Sequence, residues 1–305
     1  MDREDIIGSY KLAELVTLTR DGSPVCWPML PGLERGRIVF STGYLYPTKA
    51  RNAQRDPRVA VLFSDPSASG RCDDDPLVLV QGRAEVLDRD IQRNTERYVD
   101  QLMRKATAFR LMLSVPWIRH AMAGYLARIW IEVVPDRQDV WARADAPPPS
   151  LRGMSRPAAF VPREPIVLPP DVFGWLPRYT RPPVLAYLDR EGRPAAVRVQ
   201  AAVRPDRIDV SCCLQTVEGA PACLTYHRLI GNYRGNDAFL IRGHFDAAGG
   251  LVPERLVGYG GTADDRELGS VKLLRLIKGW GKQLPARLAA QGRPQVVARP
   301  SSRSR

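Results

Sequence analysis

Lys49, Arg51, Asn52 and Arg55 crowd one short stretch between two segments that read as strands. Arg37 to Thr42 alternates apolar and polar residues and ends in Gly43, as a half-buried strand does. Pro47 suits the first turn of a helix, where a missing N–H costs nothing. Asp56-Pro57 stops that helix, and Val59 to Phe63 is an apolar, β-branched strand. Orphan N–H groups at a helix start, with Lys49 and Arg51 in its first turn, make a seat for a phosphate. The same residues also suit a solvated basic turn, and spacing alone does not separate the two.

The elements that would hold this stretch follow from turn and period signals. Residues 10–18 open with a helix end running into a strand, and Asp21-Gly22 is a hairpin turn. Val25 to Leu30 makes a second strand whose Pro28 belongs at an edge or a bulge. Gly32 to Gly36 is a turn, Pro66 to Asp75 a surface loop and Leu77 to Leu87 a further strand. From Asp90 to Leu113, Ile91, Tyr98, Leu102, Phe109 and Met112 recur at helical spacing, and Trp117 to Leu126 continues as a second helix after Pro116. That stripe of methionine and aromatics is a core-facing surface.

Residues 146–183 hold eleven of the 27 prolines, an extended and semi-rigid linker. Beyond it the pattern returns. Gly192 and Pro194 follow Gly22 and Pro24 at an offset of 170, as Arg207 to Ser211 follows Arg37 to Ser41. Pro221 follows Pro57 at 164, and Phe239 to Gly243 follows Val78 to Gly82 at 161. Preserved order with a drifting offset marks a duplicated lobe. The second copy is six residues shorter between Ser211 and Pro221, where it carries Glu218 but no lysine or arginine. The basic helix is deleted there.

The net charge of +12 at first suggests nucleic acid. Residues 281–305, however, carry six of the surplus cations against no acid, in a stretch rich in Pro, Ser and Gln. Residues 285–305 are expected to be a disordered, solvated tail, and no specific nucleic-acid signature accompanies them. Ser270 to Leu284 spaces Lys272, Arg275, Lys278 and Lys282 opposite Leu273, Leu274, Ile277, Trp280 and Leu284. Such a helix either packs on the barrel, the favoured expectation, or lies on an anionic membrane surface. Gly258 to Thr262 reads as a turn. Five cysteines without a C-x-x-C pair, and three histidines, give no metal or disulfide spacing. No run is long enough to span a membrane and the N-terminus is acidic, so a cytoplasmic chain is expected.

Asp21-Gly22-Ser23-Pro24, Arg37 to Thr42, Lys49-Ala50-Arg51-Asn52, Arg55 to Val59 and Leu79 to Glu85 come in one order and at set separations. Together they resemble the pyridoxamine 5'-phosphate oxidase-like split-barrel flavoproteins across residues 8–142, with Arg128 to Trp141 as the closing strand. The resemblance implies a mainly β protein with helices (α+β): two tandem split β-barrel lobes forming a pseudo-dimer. The divisions would be 1–142 for the flavin-binding lobe, 143–183 for the linker and 184–262 for the diverged lobe. An amphipathic helix over 263–284 and the tail, 285–305, follow.

Family members are usually homodimers with two cofactors at the interface, so a fused chain with one site is implied, as a monomeric pseudo-dimer or a homodimer of such chains. Carried over, Lys49 is the phosphate cation, assisted by Arg51 or Asn52. Ser41 and Thr42 bond the phosphate or ribityl chain, while Trp27, Pro28 and Met29 run beside the ring. FMN is the implied cofactor, with the 8-hydroxy-5-deazaflavin coenzyme as alternative and haem as a further one. The oxidase's own substrate pattern is absent. Its glutamine early in the strand before the Gly82-like glycine is replaced by Leu77, and Val25-Cys26-Trp27-Pro28 stands where its arginine-rich strand would be. The implied activity is instead reduction of a small organic acceptor by a nicotinamide or deazaflavin electron donor. Arg198, Arg242 and His244 are candidates for the opposite wall, His244 as a proton donor. A non-catalytic flavin- or haem-binding sensor is the alternative.

Overall fold

The structure is a computed structural model that describes residues 7–67, 75–105, 110, 113–142, 146–211, 213–230, 235–259 and 271–300. In the first lobe, short turns join β1 (Ala13–Leu18), β2 (Pro24–Met29), β3 (Gly32–Glu34) and β4 (Arg37–Gly43). A helix, α1 (Thr48–Arg55), leads into β5 (Arg58–Phe63), β6 (Leu77–Leu87) and, after a helical stretch, β7 (Arg128–Trp141). These seven strands pair antiparallel in the order β2-β1-β5-β6-β7-β4-β3. The second lobe has β8 (Val184–Leu188), β9 (Pro194–Arg198), β10 (Gln200–Val203), β11 (Ile208–Ser211), β12 (Pro221–Ile230), β13 (Gly235–Phe245) and β14 (Gly250–Tyr259). Its order is β9-β8-β12-β13-β14-β11-β10, which is the first lobe's order with seven added to every label. The internal repeat is therefore a repeat of topology: two half-barrel sheets in tandem, a split-barrel pseudo-dimer.

The correspondence extends to single residues. The β6–β7 ladder shifts register between Gln81 and Gly82, opposite Pro135, and the β13–β14 ladder shifts between Arg242 and Gly243, opposite Pro253. A Cβ on Gly82 would come within 2.2 Å of the Val134 carbonyl oxygen, and one on Gly243 within 1.9 Å of that of Val252. Only glycine lets the backbones approach so closely at these two bulges. One sequence offset needs correcting. Ala60 pairs with Gln81, and Cys223 with Arg242, so β5 and β12 correspond at 163 rather than 164. Pro221 thus stands at the place of Arg58, not of Pro57. A slip of one residue turns every side chain to the other face, so His227 corresponds to Ser64.

The lobes grip one another reciprocally. Strand β2 rests on β8 and β12, and β9 rests on β1, β5 and β6. Gln81, beside one bulge, donates to Asp189 Oδ2 at 2.8 Å and to the Pro194 carbonyl at 2.9 Å, at the β8–β9 hairpin. Arg242, beside the other, donates to Thr19 Oγ1 at 3.4 Å, at the β1–β2 hairpin. β2 is an edge strand in its own sheet, and Cys26 turns its carbonyl outward to accept from Thr225 of lobe two. Pro24 and Pro28 share the parity of Cys26, so both place their missing N–H on the outer edge, where no ladder bond is lost.

The remaining helices are α2 (Ile91–Lys105), α3 (Pro116–Ala121), α4 (Ala123–Leu126), α5 (Pro170–Trp175) and α6 (Val271–Ala289). Asp90 starts α2, its Oδ1 accepting the Arg93 N–H at 2.9 Å. The helical stripe does face a core: Tyr98, Val99, Leu102, Leu113, Met122, Leu126 and Trp130 cluster on one side of lobe one, while Phe109 and Met112 lie outside the described residues. The linker is strapped to lobe two, with Ile166 N–H on the Pro253 carbonyl and Leu168 N–H on that of Pro205.

The expected boundary at 284 is corrected, and so is the expected disorder over residues 285–300; residues 301–305 of that expected tail lie outside the described residues. α6 runs through Pro285 to Ala289, and Ala298 is buried in the cluster around Trp130. Gln92 clamps the Val297 backbone from both sides, at 2.7 and 2.8 Å, and Arg299 meets Glu96 at 2.8 Å. Apolar Val296 and Ala298, spaced to face one way, give these residues something to bury, which composition alone concealed. The Gly260–Thr262 part of the expected turn lies outside the described residues. No helix among those described is long and apolar enough to cross a membrane.

Candidate functional site

Helix α1 has Pro47 at its N-cap, no side-chain cap and no acid in its first turn, so it is a helix start suited to an anion. Lys49 is 8 % exposed and holds its ammonium 4.5 Å from the ring centroid of Trp27. Burial lowers its pKa to about 8, and the nearby Arg128 charge pushes in the same direction. Arg128 opens β7 beside Gly43, its backbone partner across the ladder. Its guanidinium lies 4.0 Å from the ring centroid of Tyr98 and 4.5 Å from that of Tyr125. Two buried cations close enough to depress one of them form a site that an anion would stabilise.

The other expected binding residues divide. Thr42 is buried and donates to the Tyr46 carbonyl at 3.2 Å, closing the loop that leads into α1; Ser41 is half-buried. Asn52 is buried but turned to Thr17 Oγ1, 3.2 Å away, and it accepts from Arg55. Arg51 is exposed, two positions and more than half a turn around the helix from Lys49. Trp27, Pro28 and Met29 are all buried on β2. Strand alternation puts Trp27 and Met29 on the α1 face and Pro28 on the face toward lobe two.

None of the three lobe-two candidates is brought to Lys49. Arg198 lies on the far side of the β1–β2 sheet, where its Nη2 sits 2.9 Å from Glu14 Oε1 and its Nε donates to Ser64 Oγ at 2.9 Å. His227 Nε2 is 2.9 Å from the same Glu14 oxygen, and Asp65 lies 3.7 Å from its Nδ1. Burial raises the Asp65 pKa, but His227, Ser67 and Arg198 outweigh it and hold the carboxyl below its ordinary value. Arg242 is at the tip of the β1–β2 hairpin. His244 Nδ1 lies 2.7 Å from Glu254 Oε1, and Arg163 reaches from Glu254 back to Asp21 at the same tip. From that tip to Trp27 is five residues of strand, roughly 16 Å.

Arg128, Tyr98 and Tyr125 were not singled out from the sequence. The signal was there in weak form: Arg128 is a lone cation opening an apolar strand, and the two tyrosines lie on neighbouring helical segments. A cleft of about 320 Å³ lies elsewhere, lined by Gly22, Arg58, Arg156, Arg190 and Glu191. Its arginines already serve Asp56, Phe160 and Gln215, so its charge is largely spent internally. Cys26 and Cys223 are buried, free thiols at the lobe interface whose pKa values burial raises; Cys213 is free and exposed. Among the described residues no cluster has the ligands for a metal ion.

No protein-family model matches the chain, and no curated protein matches it. Solved structures similar to it include the conserved hypothetical protein Rv2991 from Mycobacterium tuberculosis, 24 % identical over 47 % of this chain and 85 % of that one, with a TM-score of 0.35. An F420 reductase is 17 % identical over 45 % and 96 %, with a TM-score of 0.32. A putative pyridoxamine 5'-phosphate oxidase from Listeria innocua is 14 % identical over 45 % and 92 %, with a TM-score of 0.29. With its two sheets of identical strand order, the chain is a tandem split-barrel protein, similar to the pyridoxamine 5'-phosphate oxidase-like proteins.

Proposed function

We propose that this chain binds one flavin or deazaflavin through lobe one and acts as an oxidoreductase toward a small organic acceptor, drawing on a nicotinamide or deazaflavin donor. The observation that carries the binding half is the buried Lys49–Arg128 pair at the uncapped start of α1. The donor set fits the phosphate end of such a cofactor: two cations, helix-start N–H groups that no cap side chain takes, and the Ser41-Thr42 strand end. FMN is the preferred form. When bound, the cofactor supplies hydride transfer.

The chain's own part is positional. Lys49 and Arg128 would neutralise the phosphate, and the Tyr98 and Tyr125 rings hold Arg128 in place. The outer edge of β2 is taken up by lobe two, with the Cys26 carbonyl accepting from Thr225, so it is the Trp27 face of β2, toward Lys49, that a ring would meet.

A second reading, a non-catalytic flavin- or haem-binding protein, is favoured by one observation: Arg198, Arg242 and His244 are all engaged away from Lys49. An absorbance spectrum of the protein as isolated separates the possibilities. A flavin or deazaflavin band bleached by a reduced donor and restored by a quinone or enone supports the first. A band that never turns over supports the second, and a colourless protein that takes up neither FMN nor deazaflavin defeats the binding proposal itself.

A further inference from the structure

We propose that lobe one docks on an anionic lipid surface through the face formed by α3 and α6. Residues 101–130 contain Arg104, Lys105, Arg110, Arg119 and Arg128 and no aspartate or glutamate. Residues 271–300 contain Lys272, Arg275, Lys278, Lys282, Arg287, Arg293 and Arg299, again with no acid. These twelve cations equal the chain's entire net charge of +12, so the rest of the chain is balanced. The fold brings the two acid-free runs together, because α6 packs on α3 and α4.

Some of this charge is answered or used. Arg128 is buried at the cofactor seat, and Arg293 and Arg299 reach Asp88 and Glu96. Arg119 and Arg287 donate to the Leu113 and Leu45 carbonyls, which engages a donor without cancelling the charge. Arg104, Arg110 and Lys282 are exposed. On α3 (Pro-Trp-Ile-Arg-His-Ala), against which α6 packs, no residue is buried, and Trp117 is 72 % exposed. A helix that leaves an indole in solvent within a fold region of acid-free sequence has the composition of an interfacial anchor: aromatic at headgroup depth, lysine and arginine on anionic headgroups. The exposed Trp117 suits lipid, which offers an apolar bed behind its anionic headgroups, better than duplex phosphates, which need cations alone.

Docking here needs no cofactor, so it can be tested apart from the function proposed above. Full-length protein is sedimented at low salt with vesicles of phosphatidylcholine, or of phosphatidylcholine with phosphatidylserine. Partition onto the serine-containing vesicles alone is expected. Arg104→Gln with Lys282→Gln should lower it by roughly fivefold per charge removed, and Trp117→Ala severalfold, with thermal melts unchanged because Trp117 packs against so little. Brominated lipid should quench the wild type more than Trp117→Phe. No partition, equal partition onto neutral vesicles, or partition indifferent to these substitutions overturns the proposal. So does tighter retention on a DNA or RNA oligonucleotide with no Trp117 dependence, which would reassign the face to nucleic acid.

Discussion

The segment between β4 and β5 and its counterpart between β11 and β12 sit on equivalent scaffolds and have gone opposite ways. In lobe one the chain folds into α1, buries Lys49 and brings it to Arg128. In lobe two a shorter segment has no helix, and the linker moves in: Gly153 bridges Gln215, whose N–H bonds the Arg152 carbonyl at 2.6 Å. Strand order, bulges and hairpin contacts survive in both lobes, so losing a ligand seat did not require losing the barrel. The scaffold and the seat are separable.

A second asymmetry lies on the lobe interface. Ser64 and His227 occupy equivalent positions, and both bond Glu14. Glu14 and Arg198 add a buried charge pair on one side of this pseudo-two-fold. On the other side the equivalent positions, taken from the hairpin registers, are Val184 and Pro28.

Substitutions can sharpen or break both contrasts. The largest effect is expected at Glu14→Ala, which strands Arg198 and His227 in the interior and should cost about 3–5 kcal/mol in chemical denaturation. Val184→Ala, its counterpart, should cost only about 2 kcal/mol for the lost methyl groups. Equal losses would deny the asymmetry. Next, Lys49→Ala or Arg128→Ala should weaken FMN retention, measured by titration, by roughly ten- to a hundredfold each, as loss of a charged hydrogen bond does. Gln215→Ala in lobe two should leave retention unchanged.

Gly82→Ala and Gly243→Ala should destabilise by similar amounts, about 1–3 kcal/mol. A large disparity between them would undo the equivalence of the bulges. The smallest effect is on pH dependence. Lys49 has its pKa lowered from 10.5 to about 8, so between those values the folded state binds fewer protons than the unfolded one. Stability without ligand should therefore rise with pH across that window. Anion binding needs the charged ammonium and should weaken as pH climbs past about 8. A titration curve for retention that is flat from pH 7 to 10 would place the phosphate elsewhere.

Strands and lobes were legible in the sequence because hairpin signals such as Asp21-Gly22, and glycines with one stringent role, such as Gly82 and Gly243, announce themselves locally. The start of α1 was legible for the same reason. As parts of a site, Arg128, Tyr98 and Tyr125 were not, because they lie well apart in sequence from Lys49, and only closure of β7 against β4 brings them to it. The β5–β12 register was misjudged by one residue because proline was matched to proline, whereas pairing with β6 and β13 fixes the true offset. The ordered tail escaped because two small apolar residues, Val296 and Ala298, weigh little in composition and a great deal in packing. Lobe-two arginines and histidine looked available to a ligand because a sequence does not show which acid each one already faces.

The reciprocal hairpin grip has a consequence for how such a molecule changes over time. In an association of separate identical chains, any substitution at the grip appears twice, once on each side, and the complex can be diluted apart. Here Gln81 and Arg242 are different residues held at the fixed local concentration of one covalent chain. Each half is free to specialise without the other having to tolerate the same change, and no drop in protein concentration can separate them.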